Sequence, residues 1–103
     1  MGKARNDYLD YILQDVLGHI EGLHHRAMFG GVGIYKDGVI FGLIYDNQLY
    51  FKVNDTNRSR YESADSYPFT YNSNGKQVKL SYWAVPESVM EDSDSDAISD
   101  WLI

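Results

Sequence analysis

His19, His24 and His25 are the chain's three imidazoles, and metal binding is the first chemistry to ask of them. A His-His pair with a third histidine five residues earlier does not match an i, i+4 helical chelate, and no acid stands at a motif spacing. Histidines near a helix C-terminus, favoured there by the helix dipole, are the simpler reading. Asp92-Ser93-Asp94-Ser95-Asp96 resembles the opening of a calcium loop, with acids at positions 1, 3 and 5. Position 6, where the sharp turn requires glycine, is Ala97, and position 12 is Ile103 rather than glutamate, so the motif fails twice. Gly30-Gly31-Val32-Gly33 lacks the continuation of a phosphate loop and leads into strand and hairpin rather than into a helix N-terminus. Glycines in that setting mark a bulge or a close approach of backbones. There is no cysteine, no G-x-S-x-G elbow, and no serine with a predictable histidine and carboxylate. The sequence therefore predicts no catalytic residue, no metal ligand and no cofactor, and a binding module rather than an enzyme.

Nucleic acid is the next candidate. Leu49-Tyr50-Phe51-Lys52-Val53 has the stacking rings of an RNA-binding strand without its glycines, and Lys52, Arg58 and Arg60 form at most a small basic patch. The net charge is −6. Six acids fall in residues 87–100 (Glu87, Glu91, Asp92, Asp94, Asp96 and Asp100), leaving a body in which nine acids balance nine bases. Tight, sequence-blind DNA binding needs an excess of cations to neutralise phosphates, and the balance argues against it here.

The elements that would position these residues follow from periodicity. Asn6 or Asp7 is expected to cap a first helix whose apolar face is Leu9, Ile12, Leu13, Val16, Leu17 and Ile20, with Gly22 as its stop. Residues 25–35 read as one strand, Asp37-Gly38 as a hairpin turn, and Val39 to Tyr45 as the return strand. Asp46-Asn47 turns into a third strand, where Leu49, Phe51 and Val53 share one face and Tyr50 and Lys52 the other. Asn54-Asp55-Thr56 caps a short helix over about 55–64, Phe69 to Tyr71 and Gln77 to Trp83 are strands around an Asn-Gly turn, and Asp94 or Ser95 caps a last helix. The order α-β-β-β-α-β-β-α predicts a two-layer α+β fold: a five-stranded antiparallel sheet with helices mainly on one face. The opposite face is expected to carry Tyr50, Lys52 and Trp83, as a partner surface or a homodimer interface.

At 103 residues, 44% apolar and 15% aromatic, the chain can bury a core as one domain over 1–103, with an acidic stretch at 87–100. The lack of cysteine excludes disulfides. No signal-like segment opens the chain and no apolar run nears the roughly 20 residues of a membrane span, so a cytoplasmic protein is expected.

Ordered segments along the chain resemble the N-terminal domain of the TfoX/Sxy family. Arg26-Ala27-Met28-Phe29-Gly30-Gly31-Val32-Gly33-Ile34-Tyr35 is similar to that family's R-x-M-F-G-G-x-G-L-Y signature, and Leu49-Tyr50-Phe51-Lys52 to its L-Y-L-K strand. Pro68-Phe69-Thr70-Tyr71, Ser81-Tyr82-Trp83 and Pro86-Glu87 continue the likeness, which spans about residues 5–102. The resemblance implies a secretion-chaperone-like two-layer fold. It also implies a role as a positive regulator of competence genes acting through the cAMP receptor protein or the transcription machinery, with a second, helical domain in full-length members. It assigns no catalytic or ligand residues. Its motif positions Met28, Phe29, Gly30, Gly31, Gly33, Tyr50, Lys52 and Tyr82 are the candidates for a functional or structural surface. Two other readings stand beside it: a small-molecule or hydrolytic pocket, favoured by a cavity lined by His19 or His25 with an acid nearby, and direct DNA binding.

Overall fold

The computed structural model describes residues 4–28, 30–91 and 95–102. Helix α1 (Ala4–Asp10) runs on into a π-helical turn, Tyr11–Val16. Six strands follow, β1 (Leu23–Met28), β2 (Gly31–Lys36), β3 (Val39–Tyr45), β4 (Gln48–Lys52), β5 (Pro68–Ser73) and β6 (Lys76–Ala84), with α2 (Arg58–Ser63) between β4 and β5. Two short helices, α3 (Glu87–Met90) and α4 (Ser95–Ser99), complete the described chain. The strands form one sheet in the order β1-β2-β3-β4-β6-β5, with every neighbouring pair antiparallel. After β4 the chain leaves through α2, forms the far edge as β5, and returns as β6 between β5 and β4.

The sheet has six strands rather than the expected five because residues 25–35 are a hairpin, not one strand. Met28 pairs with Gly31, and Gly30 takes φ +77°, a left-handed conformation that glycine adopts without steric cost. Phe29 lies outside the described residues.

The helical layer covers one sheet face. Ile12, Val16 and Leu17 from the π turn and its exit bury against Ile34, Ile44, Leu49, Phe51 and Val53, together with Tyr61 of α2 and Ile98 of α4. The first helix ends earlier than its apolar spacing implies. Leu17 N–H bonds Ile12 O at 2.8 Å, closing the π turn. A Cβ at Gly18 would stand 2.2 Å from Gln14 O, so only glycine fits beside that carbonyl. Gly22 (φ +76°) serves the entry to β1 instead of stopping the helix. Asp7 lies inside α1 rather than capping it. The residues before α2 also act differently from the expected cap. Asn54 Oδ1 accepts from Thr56 N–H (2.9 Å), Asn57 Oδ1 accepts from Asn54 N–H (2.8 Å), and Asp55 pairs with Arg58, so the turn braces itself. The expected Asp94 cap of α4 falls outside the described residues.

In β4 the alternation holds: Leu49, Phe51 and Val53 enter the helix-side core, and Tyr50 joins the cluster on the other face. Trp83 departs from expectation. It pairs with Phe51 and packs against the helix-side core, because antiparallel partners share a face. Tyr82, opposite Lys52, takes the place on the open face.

Candidate functional site

The open face is built by alternation from five strands. Met28 of β1, Leu43 and Tyr45 of β3, Tyr50 of β4, Leu80, Tyr82 and Ala84 of β6, and Phe69 of β5 form its apolar cluster. Tyr50 is its centre, 8% exposed. Phe69 meets the Tyr50 ring edge-on at 5.1 Å and the Tyr45 ring at 5.2 Å, and Tyr67 meets Tyr50 at 6.3 Å. Such edge-to-face pairs add roughly 0.5–1.5 kcal/mol each beyond burial. Tyr50 therefore acts as the rigid base of the face, while half-buried Tyr82 and exposed Lys52 lie beside it in register.

The glycines of the motif are accounted for by space. A Cβ on Gly31 would stand 2.2 Å from the Ile44 carbonyl oxygen, and one on Gly33 2.4 Å from Met28 Sδ. Gly33 thus leaves the hollow in which Met28 lies, which places Met28 in the open-face cluster rather than in the helix-side core. Of the candidates Met28, Gly31, Gly33, Tyr50, Lys52 and Tyr82, the fold brings all to this face, with Gly30 supplying the turn at its edge.

The described acids are kept out of the sheet, while cations occur in strands and helices alike. Among the described residues no acid lies in a strand, whereas Arg26, Lys36, Lys52, Lys76 and Lys79 all do. Arg26 stands on the open face opposite Gly33, its guanidinium 5.8 Å from the Tyr35 ring centroid, a cation–π arrangement. This pattern was readable in the sequence once the strands were drawn, but a whole-chain charge count conceals it. The Tyr35, Tyr45 and Phe69 contributions were likewise missed as candidates.

Burial also sets the phenols of this face. Burial, reinforced by Tyr67, pushes the Tyr50 phenol up to about 12, and burial raises Tyr82 as well. The unfolded chain then ionises these phenols first, near pH 10. Their contribution is complete below pH 10 and is lost as pH rises through the folded value, so stability should fall between about pH 10 and 12. Ultraviolet titration should show several late-ionising groups, of which Tyr50→Phe removes one, while buried Tyr61, also raised by burial, remains. Ionisation of all nine tyrosines near pH 10, before any unfolding, would contradict the buried cluster.

A second feature lies at one end of the sheet, a cavity of about 840 Å³. The segment after the π turn contributes His19, Ile20 and Glu21, the β2–β3 hairpin Lys36 and Val39 to Phe41, and the ends of β4 and α4 Lys52 and Ser99. His19 Nε2 is 2.9 Å from Ser99 Oγ, joining two segments 80 residues apart. His19 and Glu21 thus share a cavity, whereas His25 lies outside it. Among the described residues no three histidine or acidic side chains converge closely enough to hold a metal ion. Asp92, Ser93 and Asp94, the start of the calcium-like run, are outside the described residues. Among the described residues no helix is long and apolar enough to cross a membrane.

Comparison with known proteins places these features in a family. The sequence model described as the TfoX N-terminal domain matches residues 15–102. The chain is also similar to Protein Sxy of Escherichia coli (strain K12), 25% identical over 79 residues, which cover 77% of this chain and 38% of Sxy. The chain thus spans well under half the length of that curated relative.

Proposed function

We propose, from the premise that this chain belongs to the TfoX N-terminal domain family, that it is a regulatory protein-binding domain of a transcriptional co-regulator and not an enzyme, docking its partner on the open sheet face. The observation that carries this reading is a sheet face that, among the described residues, packs no helix into its apolar cluster, on which Arg26 lies by Tyr35 and Lys52 opposite Tyr82 while the described acids are kept to helices and loops. Tyrosine and arginine are the side chains that most often anchor protein interfaces. The cations at Arg26 and Lys52 call for a partner with acidic groups around an apolar patch. The regulated process is competence or a related programme of gene expression, in the cytoplasm, and the cAMP receptor protein or a polymerase subunit is the first partner to test.

Lys52 is the direct probe. It is exposed and, among the described residues, makes no ion pair. Lys52→Glu should shift Tm by no more than about 4 °C while weakening partner capture about tenfold or more. A large loss of stability instead would show that Lys52 is structural.

The same cations and rings suit single-stranded nucleic acid, and this second reading has its own signature. Three phosphate contacts, from Arg26, Lys52 and Lys76, would give a log–log salt slope of about −2 for a single strand. Binding with that slope, kept after removal of other proteins, would replace the protein-docking reading.

A further inference from the structure

We propose that the cavity at the end of the sheet is a binding site for a small amphipathic monoanion, an aliphatic or arylalkyl carboxylate. Its volume of about 840 Å³ falls in the range of roughly 300–1,000 Å³ typical of small-molecule sites. Ile20, Val39, Ile40, Phe41 and Leu102 give it an apolar wall. Val39, 68% exposed, lies in this lining, so a ligand seated in the cavity would cover apolar surface there.

Phe41 is there because of a β-bulge. The β2–β3 register passes from Ile34↔Gly42 to Tyr35↔Ile40, leaving Phe41 without a partner in β2. An extra residue of this kind re-aims a side chain. The Phe41 ring lies 5.9 Å from Phe51 and packs against the helix-side core, although the β3–β4 register would put it on the face of Lys52. The bulge thus supplies an aromatic wall to the cavity.

The polar part of the lining sets the charge of the ligand. Lys36 and Lys52 are its cations and Glu21 its one acidic lining residue; Asp37, paired with Lys36 just outside the lining, offsets Lys36 until a ligand displaces it, which leaves one positive charge in surplus. That suits a monoanion and falls short of what a polyphosphate requires. Lys36 makes an exposed pair with Asp37 at 3.3 Å, a weak contact that a carboxylate ligand can displace. The Ser99 hydroxyl, bonded to His19 at 2.9 Å, offers a neutral hydrogen-bonding group on the opposite wall. Lys52 serves both sites, but Lys36 and Val39 have no part in the docking face, so substitutions at those two test the cavity separately.

Amide NMR titration of the chain with octanoate, 1-octanol and octylamine tests the proposal. Octanoate should shift the amides of Ile20, Phe41, Lys52 and Leu102 and half-saturate below about 1 mM. Octanol, with the same tail and no charge, should bind about tenfold more weakly, and octylamine more weakly still. Lys36→Gln should reduce octanoate affinity about tenfold and leave octanol unchanged. Val39→Glu, at an exposed position that tolerates a polar side chain, should abolish octanoate binding by repulsion at the rim. Octylamine binding as well as octanoate, shifts scattered over the surface, or octanoate affinity indifferent to both substitutions would overturn it.

Discussion

Replacing Tyr61 with alanine should lower the unfolding free energy by about 3–5 kcal/mol, the largest single loss expected in this chain. Tyr61 lies on α2, which is only six residues long and carries no side-chain cap; such a helix depends on tertiary packing for its stability. Its ring is fully buried in the helix-side core and meets the Trp101 ring edge-on at 5.0 Å. Its hydroxyl donates to the Trp101 carbonyl at 2.6 Å. Arg60 adds its guanidinium 5.4 Å from the Trp101 ring centroid, so two consecutive residues of α2 hold the C-terminal segment. Alanine removes the ring, the hydrogen bond and the seat of Trp101 together. Tyr61→Phe separates the terms: it keeps the ring and leaves the Trp101 carbonyl unpaired, at about 1–3 kcal/mol. Urea denaturation of both variants measures the two losses. Since domains of this size are stable by only about 5–15 kcal/mol, Tyr61→Ala should be largely unfolded on mild heating. A loss under about 1 kcal/mol for alanine would mean that α2 and the C-terminal segment are not docked as described.

Gly31→Ala should cost about 2–3 kcal/mol, the range of an overpacked site that must move backbone. The added Cβ would stand 2.2 Å from the Ile44 carbonyl oxygen and 3.2 Å from its carbon. Neither atom belongs to a flexible side chain, so β2 and β3 would have to separate where Val32 pairs with Ile44. Gly38→Ala is the control. Gly38 has φ +84° but nothing within 4 Å of a new Cβ, so only the left-handed conformation is penalised, at about 1–2 kcal/mol. Urea midpoints should rank wild type, Gly38→Ala and Gly31→Ala in falling order. Amide shifts in Gly31→Ala should concentrate at Val32, Ile44 and Tyr45, the edge of the open face. If Gly31→Ala is as stable as wild type, steric closeness does not explain this part of the motif.

These two cases show which features the sequence made legible. Alternation in β4 placed Tyr50 and Lys52 on one face and Leu49, Phe51 and Val53 on the other, because successive side chains of a strand point to opposite faces of the sheet. Asp37-Gly38 declared its hairpin through a well-known turn pair. The β1–β2 hairpin was concealed because the sequence between Met28 and Gly31 lacks such a pair, and the glycines on either side of Val32 read equally well as strand irregularities. Trp83 was misplaced because its face depends on pairing with Phe51, a partner far away in sequence. The π turn escaped notice because its apolar residues still fit a 3.6-residue period. The cavity was outside the reach of local pattern altogether. It joins residues 19–21, 36, 39–41, 52, 54, 99 and 102, and its aromatic wall exists only through the Phe41 bulge. The small-molecule alternative named a cavity lined by His19 or His25 with an acid nearby as the feature that would favour it; His19 and Glu21 do share one, but the lysines that set its charge were not named.

The most direct test of the docking face is capture from the host's own lysate, with and without nuclease, using wild type and an Arg26→Glu/Lys52→Glu variant side by side. The open-face account predicts that wild type retains a transcription factor or polymerase subunit after nuclease treatment and that the charge-reversed variant, still folded, loses it. Retention of the same protein by both, or recovery that disappears with nuclease, would contradict that account.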